Sequence, residues 1–438
     1  MTENTLKSAS LDYPAIDQGT KPFVLTGWLI CSLGAIYYCY EYLLRISPSV
    51  MTQELMRLYD LTATQVGVFS AYYYHAYVPM QIIVGLLMDR YGPRRLLTMA
   101  CLFCAFGTFL FASGYSLAVA EVGRFLVGFG SAFAFVGALK LATIWLPPNR
   151  FALISGMIMF LGMVGAMIGD IFLRTLIDQL GWQLTIYASA ALGVILTGIL
   201  WSIVRDTKSV GSERQVQLLN FPELFSGLRK ALKNPQIWLN GLVGLLLYLS
   251  LSAFAELWGI QYLEQAHGFS KTEAASANAL IFLGWAVGSL FFGWLSDFLK
   301  LRSLPILLAS IFSVLVVSII LYVPGLSFMQ LSVLLFAFGV FSSVQILVFA
   351  IACEAESFKL AGTVIALTNT IVMIGGNVFQ PVIGKLLDME WSGTMADGIR
   401  VYSPEAYQFA LSVLPIGIAI AVFILFFIRE THAKSREV

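Results

Sequence analysis

The sequence is short of charge and of cysteine, and both shortages narrow its class. Only 12% of its 438 residues are charged, whereas soluble globular domains carry about 25%. The five cysteines lie in apolar runs, and the CxxC pair Cys101 and Cys104 has no second pair that could complete a metal site. We therefore expect the cysteines to be small packing residues, and we predict no metal site.

The motifs of ATP-driven pumps and of common hydrolases are also missing. The chain contains no G-x-x-x-x-G-K-[ST] loop, no G-x-S-x-G turn and no H-E-x-x-H helix. The net charge is only +1, and no basic stripe indicates a nucleic acid partner. We therefore predict that the protein is not an enzyme, uses no cofactor and does not bind nucleic acid.

Long apolar runs dominate the chain instead. Hydrophobic residues make up 58% of it, and they fall in twelve runs of about 20 residues or more, the length that crosses a bilayer as a helix. The predicted spans are residues 23–46, 63–88, 96–115, 117–146, 151–176, 183–204, 237–264, 273–296, 303–323, 327–352, 361–387 and 406–428. The sequence thus predicts an all-α, multi-pass membrane protein surrounded by lipid.

The longest polar segment lies between the sixth and seventh spans and divides the chain into two halves of similar length. The predicted domains are an N-terminal tail 1–22, an N-terminal bundle 23–204, a linker 205–236, a C-terminal bundle 237–428 and a C-terminal tail 429–438. Because each bundle contains six spans, both tails and the linker are predicted to lie on the same side of the membrane.

Basic residues in the loops predict the orientation. With the N-terminus inside, 18 of the 26 Lys and Arg residues fall in cytoplasmic segments and four fall in outer ones. The four outer residues are Arg57, Lys271, Lys385 and Arg400. Because cytoplasmic loops are enriched in Lys and Arg, we predict cytoplasmic termini and a bacterial inner (plasma) membrane location.

A charged loop between the second and third spans carries a recognisable pattern. The stretch 85–95 reads G-x-x-x-D-R-x-G-x-R-R, with Gly85, Asp89, Arg90, Gly92, Arg94 and Arg95 at the defined positions. It resembles the loop signature of the major facilitator superfamily. Gly85 is expected to admit a neighbouring helix. Asp89 is expected to pair with a basic side chain or with the N-terminus of another helix.

The second half repeats features of the first. Gly85 and Asp89 recur 208 positions later as Gly293 and Asp297, and Leu-Ile-Asp178 recurs 210 positions later as Leu-Leu-Asp388. The superfamily resemblance implies twelve transmembrane helices in two pseudo-symmetric six-helix bundles. It also implies a substrate site near the midplane between the bundles.

Two further positions bear on the resemblance. Arg124 begins R-x-x-x-G-x-G-x-A in the fourth span, similar to the superfamily's helix-4 motif, which implies a role in proton coupling. Exporters of this superfamily often carry a Gly-Pro pair in the fifth span, where this chain has Gly165 followed by Ala166. That departure favours uptake over export.

Charged residues within spans are costly and usually face a cavity or each other. Glu41 and Arg45 share one face of the first span, and Asp170 and Arg174 lie four apart in the fifth. We predict that the four form one charge-balanced cluster near the extracytoplasmic mouth, with Glu41 or Asp170 taking up the coupling proton. The alternative is a static ion-pair network that locks the two helices together.

Other ionisable residues in spans have both structural and functional interpretations. Glu256 has no evident local partner and is a second candidate for the proton site. His75 is either a proton relay or a hydrogen-bond partner of a tyrosine. Lys140 is either a counter-charge for a substrate carboxylate or a side chain that reaches to the membrane interface.

Aromatic and amide side chains in the spans are the predicted ligands of the solute. The candidate substrate-binding residues are Tyr38, Tyr74, Tyr77, Lys140, Trp258, Gln345, Asn369 and Asn377. Tyrosines and tryptophans could instead anchor the chain at the membrane interface. The amides could instead hydrogen-bond neighbouring helices.

The sequence thus predicts a secondary transporter. We expect proton-coupled symport of a small polar, anionic or zwitterionic organic solute, by alternating access of a monomer that draws on the proton gradient. Two alternatives stay open. One is proton-driven efflux of drugs or siderophores, and the other is a receptor that binds solute without moving it.

Overall fold

The computed structural model describes residues 21–146, 151–206, 221–355 and 361–432. Within these ranges the chain forms nineteen α-helices and one short β-hairpin. The elements are α1 (Lys21–Ile46), α2 (Thr52–Tyr59), α3 (Ala63–Tyr91), α4 (Pro93–Ala112), α5 (Leu117–Ser131), α6 (Ala134–Trp145), α7 (Phe151–Ile168), α8 (Arg174–Leu180), α9 (Trp182–Ile203), α10 (Phe221–Leu232), α11 (Pro235–Leu249), α12 (Gly259–His267), α13 (Lys271–Leu299), α14 (Ser303–Tyr322), α15 (Phe328–Ser342), α16 (Leu347–Ala355), α17 (Ala361–Met389), β1 (Met395–Ala396), β2 (Ile399–Arg400), α18 (Pro404–Leu411) and α19 (Val413–Leu425).

The described helices make the twelve predicted crossings in two bundles of six. Seven crossings are single helices, and the other five join two helices end to end: α5 with α6, α7 with α8, α11 with α12, α15 with α16, and α18 with α19. The predicted bounds hold to within a few residues. The largest difference is at Leu180, four residues beyond the predicted end of the fifth span.

Ten of these crossings are long and apolar enough to span a membrane by length and hydropathy alone, over the residues that the structure describes. The other two are α1 and α3, with 26 and 29 residues. At 1.5 Å per residue each is on the order of 40 Å long, which exceeds a hydrocarbon core of about 30 Å. These two helices carry many of the polar side chains of the site described below.

The internal repeat is visible in the helix ends. α3 and α13 each contain 29 residues, and their first residues, Ala63 and Lys271, are 208 positions apart. Each begins with a capping box, formed by Thr62 and Gln65 in α3 and by the repeat-related Ser270 and Glu273 in α13. Reciprocal hydrogen bonds of this kind satisfy backbone N–H groups that a first helical turn leaves free.

The two ends of the bundle differ in charge. We call the end that holds Asp89 and Arg94 the basic end, and the end that holds Thr62 and Asp388 the opposite end. At the basic end, Lys140 Nζ donates to Asp89 Oδ1 over 2.6 Å. The Arg94 guanidinium donates to the Trp201 carbonyl oxygen at 2.8 and 3.1 Å. Asp89 therefore has the basic partner that the loop signature leads one to expect.

The two glycines of the loop signature differ in their surroundings. A side chain at Gly85 would meet no described atom within 4 Å, so the close helix approach expected there does not occur in this conformation. Gly92 has a φ of +80° and lies against the Asp206 carboxylate. A positive φ is a backbone conformation in which glycine is strongly preferred.

The second half closes its basic end with a separate ion-pair network. Arg302 pairs with Asp297 at 2.7 Å and with Glu354 at 2.8 Å. Burial acts to raise the pKa of Glu430, but the backbone N–H groups of Arg302 and Ser303, among others, hold it below its ordinary value. Asp297 therefore pairs with a cation as Asp89 does. The two cations are not repeat-related, because Arg302 lies 208 positions after Arg94 and not after Lys140.

The predicted linker contains a helix. α10 lies within residues 205–236, and residues 207–220 of that segment lie outside the described residues. Most of the predicted N-terminal tail and residues 433–438 of the C-terminal tail also lie outside them. The domain boundaries stay predictions.

Three of the five crossings that join two helices contain a π-helical or 3₁₀ segment in mid-span. π-helical segments occupy Gly169–Leu173 and Ser250–Trp258, and a 3₁₀ turn occupies Ser343–Ile346. Such departures from α geometry commonly occur at functional positions. The two π segments pack against the other half, and the three segments carry Asp170, Glu256 and Gln345.

Candidate functional site

A cavity of about 670 Å³ lies between the two halves. It extends to the basic end, where the exposed residues Asp89 and Gly362 line it. Deeper in the protein its walls are aromatic, with Tyr38, Tyr77 and Trp285 among the lining residues. Both halves contribute to it, so we call it the central cavity.

The central cavity combines aromatic faces with hydroxyl and amide groups. The polar side chains that line it are Tyr38, Tyr42, Tyr77, Gln81, Asp89, Ser155, Tyr248, Ser289, Gln345, Thr363 and Asn369. Asn369 Nδ2 donates to Gln81 Oε1 over 2.9 Å and so links the two halves. The Nε2 groups of Gln81 and Gln345 are buried and have no hydrogen-bond partner among the described residues. Free N–H donors beside a cavity suit a ligand that carries acceptor oxygens.

A buried arginine lies behind the inner wall. Arg45 is 2% exposed, and its guanidinium carbon is 4.4, 5.0 and 5.1 Å from the ring centres of Tyr42, Tyr73 and Tyr77. Its Nε and Nη2 donate to Glu41 Oε1 at 2.9 and 2.7 Å. Glu41 therefore neutralises Arg45 from the same helix, and aromatic rings surround the pair.

A carboxylate of the other half completes this cluster. Glu256, in the π segment of the seventh crossing, lies 3.8 Å from Arg45 Nη1 and is 1% exposed. The Tyr74 hydroxyl donates to Glu256 Oε2, and the Tyr248 hydroxyl donates to Oε1 over 3.4 Å. We call the group formed by Glu41, Arg45, Glu256, Tyr74 and Tyr248 the Arg45 cluster. It joins the two halves at the closed end of the central cavity.

Arg124 contacts this cluster through the backbone. Its two terminal nitrogens donate to the carbonyl oxygens of Leu44 and Arg45 at 2.9 and 3.2 Å. Those carbonyls belong to the last turn of α1, where the helix leaves carbonyl groups without intrahelical donors. Arg124 therefore fixes the end of α1 and places a second positive charge beside the cluster.

The opposite end is closed by close packing between α3 and α17. A side chain at Gly67 would lie 2.7 Å from the Cα of Pro381, and one at Gly384 would collide with the Ala63 backbone. The absence of side chains at both glycines allows the two helices to touch. Small residues commonly allow such contacts between membrane helices.

Polar bonds between the halves add to this closure. The backbone N–H and hydroxyl of Thr64 donate to Asp388 Oδ2 at 2.8 and 2.6 Å. Lys271 pairs with Glu54 at 3.4 Å, and Asn278 Nδ2 donates to Asp170 Oδ2 at 2.6 Å. The central cavity is therefore accessible from the basic end and sealed at the opposite end.

The structure does not form the single predicted cluster of four charges. Glu41 and Arg45 lie beside the central cavity, whereas Asp170 and Arg174 belong to the closure. Asp170 accepts hydrogen bonds from Ser49 and Asn278, and Arg174 pairs with Glu54 and Asp178. The sequence placed all four charges at the same depth but could not show that the partners of Asp170 and Arg174 lie in the closure. Within the fifth crossing, the π segment also turns Asp170 away from Arg174, because residues four apart do not share a face where the backbone bonds run from i to i+5.

Other predicted residues have partners that the sequence did not reveal. Glu256 is not isolated, since Tyr74 and Arg45 contact it from the other half. Lys140 pairs with Asp89 near the basic end. His75 is exposed on α3 and packs edge-on against Tyr72, so it lies apart from the Arg45 cluster.

The predicted solute ligands divide into three groups. Tyr38, Tyr77, Gln345 and Asn369 line the central cavity. Tyr74 lies behind its wall and binds Glu256, and Asn377 is half-buried with an oxygen that has no partner among the described residues. Trp258 is buried and donates to the Gln380 carbonyl oxygen over 3.1 Å, and it lines a different cavity.

Sequence reasoning missed Tyr42 and Tyr248 as parts of the site. Tyr42 follows Tyr38 by four residues and precedes Arg45 by three, so the helical face that revealed Arg45 also contains Tyr42. Tyr248 precedes Glu256 by eight residues in the same crossing. Its role depends on Arg45, whose Nη1 donates to the Tyr248 hydroxyl over 3.3 Å from the other half.

Comparison with known proteins agrees with this architecture. The sequence profile of the Major Facilitator Superfamily matches residues 30–380. A bacterial homologue of the human lysosomal transporter Spinster has a similar structure, with a TM-score of 0.74 and 17% identity, covering 94% of this chain and 96% of that one. The nucleoside transporter NupG gives a TM-score of 0.72 at 14% identity, covering 91% and 99%.

Several relatives are similar in sequence. The probable sulfoacetate transporter SauU of Cupriavidus necator is 24% identical over 84% of this chain and 89% of its own length. The membrane sensor protein UhpC of Salmonella typhimurium is 23% identical over 90% and 91%. The probable galactarate/D-glucarate transporter GarP of Escherichia coli K12 is 26% identical over 42% and 43%. The chain therefore belongs to the Major Facilitator Superfamily, as a multi-pass membrane transporter and not an enzyme.

Proposed function

We propose that the protein is a proton-coupled symporter that takes up a small organic anion. The observation that supports this most strongly is the Arg45 cluster at the closed end of the central cavity. It places a cation directly behind the tyrosines that line the central cavity, and two carboxylates beside that cation. Because both halves contribute to it, solute binding there can influence how the halves move.

The charges of the cluster explain why an anion and a proton would bind together. Arg45 and Arg124 carry two positive charges, and Glu41 and Glu256 carry two negative charges when ionised. A solute anion that binds Arg45 adds a third negative charge in a site shielded from water, where unbalanced charge is costly. Binding of one proton by a carboxylate restores neutrality. Anion and proton therefore favour each other's binding, and this coupling is reciprocal.

Glu41 is the carboxylate that we assign to the proton. Its Oε1 accepts both short hydrogen bonds from Arg45, whereas Glu256 lies 3.8 Å from the same guanidinium. Glu41 Oε2 is buried and has no hydrogen-bond partner among the described residues. When the solute draws Arg45 away, Glu41 loses its counter-charge and is stabilised by a proton on that oxygen.

The class of solute follows from the cavity and from the relatives. Unpartnered amide N–H groups and an arginine select acceptor oxygens such as those of carboxylates and sulfonates. Relatives are named as transporters of sulfoacetate and of galactarate or glucarate, which are organic anions. We therefore propose a carboxylate or sulfonate of a few carbon atoms as the solute.

The proposed orientation in the membrane rests on the distribution of basic residues. We place the basic end in the cytoplasm of a bacterial cell, in the inner membrane, because Lys and Arg accumulate in cytoplasmic loops. The described conformation then opens inward, and the closure between α3 and α17 faces outward. One chain supplies both walls of the cavity, so the proposal requires only a monomer and the proton gradient.

A receptor without transport is the second candidate function. The relative UhpC, which matches over 90% of this chain, is named as a membrane sensor. Such a protein would bind the anion in the same cavity but would not carry it across the membrane. Uptake into proteoliposomes separates the two functions, and loading the vesicles with solute tests efflux in the same preparation.

Replacing Glu41 by Gln tests the mechanism. We expect the Glu41→Gln variant to lose accumulation driven by an inward proton gradient, because Gln cannot take up and release a proton. Counterflow exchange of labelled for unlabelled solute should continue, since it needs no net proton movement. Both rates are measured in proteoliposomes with a panel of sulfonates and sugar acids.

Glu405→Gln is the matched control, because Glu405 is an exposed carboxylate in the first turn of α18, outside both the Arg45 cluster and the closure. It should retain gradient-driven accumulation. If Glu41→Gln still accumulates solute against a gradient, Glu41 does not carry the proton. If the wild-type protein binds the anion and moves none, the receptor interpretation replaces symport.

A further inference from the structure

A second cavity lies at the opposite end, on the far side of the closure from the central cavity. Its volume is about 160 Å³, roughly ten times the space that one buried water molecule requires. Its walls come from α2 of the first half and from α12 and the β1–β2 hairpin of the second half. Trp258, a predicted solute ligand, lines this space, so we call it the hairpin cavity.

The hairpin cavity has a folded lid. β1 and β2 pair antiparallel, and the Trp391 indole N–H and the Val401 N–H both donate to the Thr394 carbonyl oxygen, over 2.9 and 3.1 Å. β2 packs on α2 of the other half. Two spans can be joined by a much simpler loop, so this ordered connection gives the cavity a defined roof.

An arginine of the hairpin is held in place at this cavity. The Arg400 guanidinium carbon lies 4.2 Å from the ring centre of Trp391, and Nη1 lies 3.5 Å from Asp388 Oδ1. Asp388 already accepts shorter hydrogen bonds from Thr64 and from the Tyr402 hydroxyl. Its charge is thus largely satisfied without Arg400, and the guanidinium retains donors for another acceptor.

The rest of the lining supplies a second cation and a free acceptor. Arg57 lines the cavity from α2, and its pairing with Asp397 is long, at 3.7 Å, and exposed on both sides. Gln261 is 6% exposed and donates through Nε2 to the Ser49 carbonyl oxygen over 2.6 Å. Its Oε1 is buried without a hydrogen-bond partner among the described residues. A buried acceptor of this kind requires a donor from a ligand or from water.

We propose that the hairpin cavity is a second binding site for a small organic anion that also carries a hydroxyl or ammonium group. The acidic group binds Arg400 and Arg57, and the hydroxyl or ammonium group donates to Gln261. The inference rests on the proposed uptake of organic anions and narrows their class to hydroxy acids and amino acids. The solute occupies this site before the closure between α3 and α17 opens.

The position of the site fits a step that precedes transport. Trp258 forms part of the cavity lining, and Glu256 of the Arg45 cluster lies two residues before it in the same π segment. Gln261 binds Ser49, whose hydroxyl also contacts Asp170 over 3.3 Å. A solute in the hairpin cavity therefore touches the groups that hold the outward closure shut.

Protection of an introduced cysteine tests occupancy without relying on transport. Gln265 lines the hairpin cavity, and Gln265→Cys in the full-length protein can be labelled by a membrane-impermeant maleimide in right-side-out vesicles. The probes are glycerate and propionate, which have three carbons and one carboxylate each but differ in hydroxyl groups. At about twice its dissociation constant a ligand fills two thirds of the sites, so glycerate should slow labelling about threefold and propionate much less.

Two variants identify the cause of protection. Arg400→Gln should abolish protection of Cys at 265, whereas Arg400→Lys, which keeps the charge, should retain part of it. Leu180→Cys, exposed at the same end and outside the hairpin cavity, reports background labelling and should not be protected. Equal labelling with and without glycerate would overturn the proposal, and so would protection that persists unchanged in Arg400→Gln.

Uptake measured in the same vesicles separates this inference from the proposed function. Uptake of labelled glycerate without protection of the cysteine leaves symport intact and removes the second site. Protection without uptake supports the second site and contradicts symport.

Discussion

At the scale of single residues, the central observation is that Arg45 is shared by two carboxylates. Glu41 takes the strong paired contacts from the same helix, and Glu256 approaches from the other half at a longer distance. A solute anion can compete for a cation held this way, because the guanidinium fork can bind a carboxylate or sulfonate with two parallel bonds. The function we propose depends on this geometry more than on the charge alone.

Arg45→Lys tests that dependence. Lysine keeps the positive charge but lacks the planar fork, so it cannot reproduce both bonds to Glu41 and the contact with Tyr248. Losing one charge-assisted hydrogen bond costs about 1.5–3 kcal/mol. We therefore expect uptake at low solute concentration to fall by roughly 10- to 100-fold, measured as kcat/KM in proteoliposomes.

Arg229→Lys is the control, because Arg229 is exposed on α10 and does not line the central cavity. It should transport like the wild type. Arg45→Lys with unchanged kcat/KM would show that only the charge of Arg45 matters and that its geometry does not.

Some contacts of the site could be predicted from the sequence and others could not. The face containing Tyr38, Glu41 and Arg45 was predictable, because one helix fixes the spacing of its own side chains. Glu256 could not be predicted as a partner of Arg45, since it lies more than two hundred residues away in the sequence and only the packing of the two halves brings it near. The same reason explains why Lys140 and Asp89, 51 residues apart, were not recognised as a pair.

At the scale of helices, α3 and α17 control access from the opposite end. They cross with almost no space between their backbones at Gly67 and Gly384. The sequence showed glycines in these spans but not which of them touch another helix. Gly85, for which a close approach was expected, has open space around it, whereas Gly67 was not singled out and lies against Pro381.

Gly67→Ala should therefore open the closure. The new methyl group would collide with the backbone at Gln380 and Pro381, and overpacking of this kind costs roughly 1–3 kcal/mol. Because about 1.4 kcal/mol is a tenfold change in an equilibrium, the population should shift about tenfold toward the conformer open at the opposite end. Labelling of a cysteine placed in the closure, for example at Gln380, measures that shift.

Gly198→Ala is the matched control, because a side chain at Gly198 meets no described atom within 4 Å. Labelling at position 380 should be unchanged in this variant. If Gly67→Ala also leaves labelling unchanged, the contact between α3 and α17 is not what closes this end.

The helix interruptions were beyond sequence reasoning. Nothing in the run Ser250–Trp258 distinguishes a π segment from an α-helix by composition, yet the π geometry determines where Glu256 points. The same holds for Gly169–Leu173, where an assumed α spacing wrongly joined Asp170 with Arg174. Local backbone geometry of this kind depends on tertiary contacts, which outweigh intrinsic propensity.

At the scale of the whole molecule, the fold was largely predictable. Twelve apolar runs, the loop signature and its repeat 208 positions later led to the architecture, because a membrane limits the chain to helices of sufficient length. The equal lengths of α3 and α13 and their matching capping boxes bear out the repeat. The chemistry of the site was less predictable, because it arises where the two halves meet.

The most direct test of the account is whether the anion carries protons with it. Purified protein is reconstituted into proteoliposomes that contain a pH-sensitive dye and have no ion gradient, and a transported organic anion is then added outside. We predict that the lumen acidifies as labelled anion enters, and that Glu41→Gln prevents the acidification. Entry of the anion at the wild-type rate with no change in internal pH would contradict proton coupling through the Arg45 cluster.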